Sequence, residues 1–76
     1  METIVGEIIE ELLKTNVDLD EDLFSIGMDS LLVLHLIVTL EEKFNIDIPD
    51  EELNVDSLKT VKSICNLVSK HEYSNS

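Results

Sequence analysis

The sequence predicts an all-α fold: a small antiparallel bundle of three main helices plus one short helix, with a long ordered first loop. Three observations carry this. Apolar residues recur at helical spacing in three segments. No stretch alternates polar and apolar residues as a half-buried strand does. The 76 residues suffice for one domain only. A single cysteine permits no internal disulfide, and no dense set of Cys and His offers a structural zinc site. Stability must come from packing apolar helices, for which 43% hydrophobic residues are enough.

The first helix is marked by Ile4, Val5, Ile8, Ile9, Leu12 and Leu13, which repeat at i, i+1, i+4, i+5 and form one amphipathic face. Glu7, Glu10, Glu11 and Lys14 take the other face, and Thr3 is a candidate N-cap. Gly6 costs this helix roughly 1 kcal/mol against Ala, which points to a close helix contact there. Residues 15–29 read as a loop, polar at first in TNVDLDED. Leu23, Phe24 and Ile26 then fold back over the core, and Gly27 suits a positive φ before the next helix.

The second helix runs from about Ser30 to Phe44, with Asp29 as N-cap and Asn45 as C-cap. Pro49 disfavours helix at Ile48, and Asp50, Glu51 and Glu52 suit a short helical turn. The last helix starts near Ser57 or Thr60. Leu58 leads into it, and its apolar face is Val61, Ile64, Cys65 and Val68. The domain is expected over residues 1–70, with 71–76 as a frayed polar tail that includes His71.

The charge balance is lopsided: 17 Asp and Glu against 5 Lys, a formal net charge of −12. Nucleic acid and anionic membranes are poor partners for such a chain, because both need cationic groups. Proteins with basic patches fit better; plain solubility explains the acidity equally well. The start METIVGEIIEELL lacks the basic residues of a signal peptide, and no run reaches about 18 apolar residues. With one free thiol, these features fit the cytoplasm.

From Leu31 to Leu40 the second helix has only two polar residues, His35 and Thr39. A helix apolar on every side is normally buried on every side, yet two partner helices cover only about half of it. An exposed stripe drawn from Leu32, Val33, Leu34 and Val38 is therefore expected to dock a protein, with His35 beside it. Self-association through the same stripe is the alternative; the reading kept is a monomer.

The tripeptide Asp-Ser-Leu occurs twice, at 29–31 and 56–58. Ser30 stands at the start of a long helix, where unpaired amides and the helix dipole favour an anion. With Asp29 capping, its hydroxyl is free to bear a phosphate ester; acting as a cap itself is the competing reading. Ser57 has no preceding glycine and reads as an N-cap. No base is in position to make Ser30 a nucleophile: His35 lies five residues on, about 140° around the helix. Catalytic residues are not indicated. The stretch from Asp18 resembles a calcium loop, but Leu23 stands where glycine is required and Asp29 where Glu is usual, so no metal site is assigned. Cys65 reads as a buried small hydrophobe.

The stretch LFSIGMDSLLVLHLIVTLEEKFNIDIPDEEL, Leu23 to Leu53, resembles the acyl carrier proteins and the related peptidyl carriers. The shared pattern is an apolar loop, a glycine, Asp-Ser-Leu, a long helix ending Glu-Glu-x-Phe, and Ile-Pro-Asp-Glu-Glu. The order of helices on both sides agrees. The resemblance implies a carrier with no enzyme activity of its own. Ser30 would receive 4′-phosphopantetheine from coenzyme A through a phosphopantetheinyl transferase, with Asp29 and Leu31 in the recognised motif. Acyl-loading, chain-elongating or transferring enzymes would dock on the second helix. Housekeeping fatty-acid carriers have acids near the start of that helix, where Leu32 and His35 stand here; Glu41 and Glu42 supply charge further along. The stretch between Glu52 and Val61 is also about two residues longer. A dedicated role in a specialised fatty-acid, polyketide or non-ribosomal peptide pathway follows from those departures. An acidic interaction module that docks through the second helix without modification is the alternative.

Overall fold

The structure, a computed structural model, describes residues 2–74. Four α-helices are present, α1 (Glu2–Leu13), α2 (Ser30–Phe44), α3 (Val55–Leu58) and α4 (Val61–Ser74), with 3₁₀ turns at Leu23–Ile26 and Asp50–Glu52. Among the described residues there is no strand, and no helix is long and apolar enough to cross a membrane. α1, α2 and α4 pack on one another, and α3 lies on α4. This is the predicted bundle of three main helices and a short one.

The apolar face of α1 buries Val5 and Ile9 completely, while Ile8, Leu12 and Leu13 flank the core. Thr3 is not the cap: the helix already includes Glu2, so Thr3 lies within the first turn. Gly6 answers no close contact either. A Cβ placed on it meets no heavy atom within 4 Å, because it faces an open groove shared with Leu19 and Val61. The chain leaves α1 through Lys14, whose φ of 58° is left-handed, with its N–H donated to the Glu10 carbonyl at 2.7 Å.

The long first loop is ordered by bonds far apart in sequence. Leu23 N–H donates to the Lys59 carbonyl at 2.7 Å, and Lys62 N–H to the Leu19 carbonyl at 3.2 Å. The second bond also satisfies an amide that the start of α4 would otherwise leave open. Asp22 accepts the Phe24 N–H at 3.0 Å and caps the 3₁₀ turn, which drives Leu23 into the core. Leu23, the residue that spoils a calcium loop, is here a core side chain. Among the described residues no cluster of His, Cys, Asp or Glu could hold a metal ion.

α2 has the predicted bounds. Asp29 caps its start, and Asn45, left-handed at φ 56°, closes its end by donating its N–H to the Glu41 carbonyl. Leu36 and Leu40 are fully buried and Ile37 nearly so. Ser57 is not a cap: Asn54 caps α3 by accepting the Ser57 N–H at 2.9 Å, which leaves Ser57 inside that helix. α4 begins with a reciprocal box. Thr60 Oγ1 accepts the Ser63 N–H at 3.0 Å, and Ser63 Oγ accepts the Thr60 N–H at 3.1 Å. Val61, Ile64 and Val68 then complete the core.

α4 runs past residue 70 to Ser74, and Glu52 meets it from the second 3₁₀ turn. Lys70 Nζ and His71 Nε2 each lie 2.7 Å from a different oxygen of that carboxylate. His71 therefore belongs to the folded body, and residues 75–76 of the expected tail lie outside the described residues.

Candidate functional site

The two Asp-Ser-Leu tripeptides adopt different structures. Ser30 is the first residue of a 15-residue helix and is exposed. Ser57 is half-buried in a four-residue helix. The difference begins at Gly27, whose φ of 125° lets the chain turn sharply and leaves Met28 buried just before α2. Asp29 is extended, and its carboxylate accepts the Leu32 N–H at 2.9 Å. Its carbonyl accepts the Val33 N–H at 2.8 Å. The amides of Ser30 and Leu31 come too early in the helix to have a helical carbonyl. The Ser30 hydroxyl has no hydrogen-bond partner among the described residues. It is thus a free hydroxyl at the positive end of a long dipole.

Beside it runs an open groove of about 410 Å³, lined by Phe24, Ser30, Val33, Leu34, Leu53, Asn54, Val55 and Leu58. The first 3₁₀ turn, α2 and α3 each supply a wall, and all but Ser30 and Asn54 are apolar. The site pairs one unbonded hydroxyl with an apolar trough. That arrangement suits a flexible substituent borne on Ser30 which is polar at its root and less polar further out.

The remaining predicted residues separate into four groups. The exposed stripe on α2 is Leu31 (75%), Leu34 (61%) and Val38 (52%), spaced i, i+3, i+7 on one face, with exposed Glu42 continuing it. Leu32 and Val33 turn inward by about 100° per residue and are half-buried against the core; Val33 contributes to the groove. His35 is exposed beside a second groove with Ile8, Leu12 and Leu32. Glu41 is half-buried, and its Oε2 accepts the Ile48 N–H at 2.9 Å, which ties the end of α2 to the following turn. Val55, 61% exposed and next to the stripe, escaped the sequence reading. A valine in a polar turn gives no periodic signal.

Two groups away from the site are electrostatically shifted. Burial pushes the Cys65 thiol up, with the Glu2 charge adding to this, so it is a core side chain and a poor nucleophile. The hydrogen bond from Lys70 holds the Glu52 carboxyl below its usual range, and the His71 charge helps.

Comparison with known proteins gives concordant results. The family described as "Phosphopantetheine attachment site" matches residues 3–68. A D-alanyl carrier protein of Streptococcus sanguinis is 42% identical over 87% of this chain and 87% of its own. An acyl carrier protein of Syntrophobacter fumaroxidans is 36% identical over 83% and 72%. Among solved structures, one chain of an engineered Bradyrhizobium japonicum glycine:[carrier protein] ligase complexed with carrier protein from Agrobacterium tumefaciens and AMP superposes with a TM-score of 0.81. The identity is 28%, over 91% of this chain and 99% of that one.

Proposed function

The chain belongs to the carrier-protein family defined by the phosphopantetheine attachment site, and on that premise we propose that Ser30 is the residue that bears its 4′-phosphopantetheine. Carriage on that covalent group is the protein's function, and like its family it is a non-catalytic carrier. The group supplies a terminal thiol that holds cargo as a thioester. The chain supplies the rest. Ser30 offers an exposed, unbonded hydroxyl, which is the observation that carries the assignment. The first-turn amides of α2 favour an anion on that oxygen. The neighbouring groove gives an attached arm an apolar bed. Coenzyme A and a phosphopantetheinyl transferase, followed by proteolysis, test the site. The added mass should fall on the peptide containing Ser30; mass on the peptide containing Ser57 refutes the assignment.

The cargo we assign is a small aminoacyl group loaded by an ATP-dependent ligase. D-alanyl carriers among the relatives and the glycine ligase in the matching structure support this reading. So does a core filled by fully buried side chains, including Ile9, Leu23, Leu36, Leu40 and Ile64, beside an open trough. A fatty-acid or polyketide cargo is the second reading, favoured by the acyl carrier relatives. Offering the arm-bearing protein D-alanine, glycine and medium-chain fatty acids with their ligases separates the two. Loading by the fatty acids alone overturns the aminoacyl reading. In either case the docking face is Leu31, Leu34 and Val38 near the arm, with Glu42 beyond them. The transferase and loading enzymes should meet it with an apolar patch and a flanking basic group.

A further inference from the structure

The wall of the groove opposite α2 is weakly built. Leu53, Asn54, Val55 and Leu58 form it. α3 has four residues, far below the length at which a helix stands alone. Within α3 only Leu58 is buried. Something more must hold residues 50–58 against the bundle, and a clamp stands at the start of that segment. Both oxygens of Glu52 are engaged from α4, Oε1 by Lys70 Nζ and Oε2 by His71 Nε2, each at 2.7 Å. The Glu52 and His71 side chains are only 22% and 12% exposed, whereas Lys70 is 66% exposed, so the His71 arm of the clamp is shielded from solvent and the Lys70 arm is an ordinary surface pair. Leu53, the first wall residue, follows immediately.

We propose that Glu52, gripped by Lys70 and His71, is a positioning residue that fixes the α3 wall of the groove beside Ser30 and so governs how closely that groove holds the arm. The proposal rests on the reading of the groove as the arm's bed. With the clamp closed, Leu53 is held half-buried against the core and Asn54 is placed to cap α3. With the clamp open, Leu58 and the Leu23–Lys59 hydrogen bond behind it still anchor the end of the segment, while its start, from Glu52 to Val55, swings away from Val33 and Leu34. The clamp touches neither the arm nor the cargo; it acts through the wall.

Amide hydrogen exchange on the arm-free chain tests the clamp. The amides of Leu53, Asn54, Ser57 and Leu58 are all hydrogen-bonded within the segment and report its local opening. In Glu52→Gln they should exchange about three- to tenfold faster, while Leu36, Leu40 and Ile64 keep their rates. His71→Gln, a milder variant that removes one contact, should quicken the same four amides by less. Glu51→Gln, which removes a neighbouring exposed charge, should change nothing. Equal acceleration throughout the core would reduce Glu52 to a general stabiliser and overturn the proposal, as would unchanged rates. In the arm-bearing wild-type chain, the Val33 and Val55 methyl resonances should shift relative to the arm-free chain, and Glu52→Gln should shrink those shifts. If the wild-type methyls do not move, the groove reading fails, and the positioning role toward the arm fails with it, whatever the exchange rates show.

Discussion

Replacing Asp29 with alanine separates two roles that one carboxylate could play beside Ser30. The structure shows the first: Asp29 Oδ1 accepts the Leu32 N–H at 2.9 Å and caps α2. Loss of such a cap costs about 1 kcal/mol. For a chain of 76 residues that is a fall in Tm of about 4–8 °C, measurable by far-UV circular dichroism. The same loss loosens the turn on which Ser30 stands, so modification of Asp29→Ala by coenzyme A and transferase should slow. Asparagine caps about as well as aspartate. Asp29→Asn should therefore restore most of the Tm and most of the modification rate. If Asp29→Asn regains the Tm but is modified as slowly as Asp29→Ala, the transferase reads the charge itself, and capping is not what prepares Ser30. If Asp29→Ala melts with the wild type, the cap contributes nothing and the reasoning fails at its first step.

Further outcomes follow from the same geometry. Lys14 sits at φ 58° after α1, a conformation that glycine adopts without penalty, so Lys14→Gly should raise stability by about 0.5–1 kcal/mol in urea titration. Gly6→Ala has open space for its methyl and should add a similar amount. Leu36→Ala empties a fully buried position and should cost about 2–5 kcal/mol, enough to unfold much of so small a domain at 37 °C. Glu52 has its folded-state pKa lowered, chiefly by Lys70. Its contribution is therefore present above the ordinary glutamate range and lost as pH falls through the lowered folded value. As pH falls through that lowered value the amides of Leu53, Asn54, Ser57 and Leu58 should lose protection in the wild type, with a smaller change in Glu52→Gln.

What could be read from the sequence followed from how local the determining signal was. α2 was legible to the residue because Asp29 and Asn45 bracket it with a cap at each end. The orientation of its exposed face was not. A helix with apolar residues on every side has no polar face to set its rotation, and only the packing shows Leu31 exposed and Leu32 half-buried. The charges misled for a related reason. Five carboxylates, those of Glu10, Glu21, Asp22, Asp29 and Glu41, accept backbone amides of nearby loops and helix starts. Part of the acidity is thus structural, and Glu41 is one of the acids that also holds the backbone. The groove and the clamp were beyond reach. The groove draws on three elements, and Glu52 meets residues of α4 that looked like a tail, with no short-range pattern linking them. The exposed helix start at Ser30 was legible because a glycine, Gly27, and a cap, Asp29, stand within three residues before a long helix.

The claim beneath all of this is that one hydroxyl, that of Ser30, carries the arm. The intact mass of the purified chain after exposure to coenzyme A and a phosphopantetheinyl transferase tests it most directly. Wild type and Ser57→Ala should each gain one phosphopantetheine, and Ser30→Ala none. A gain that persists in Ser30→Ala, or disappears in Ser57→Ala alone, would contradict it.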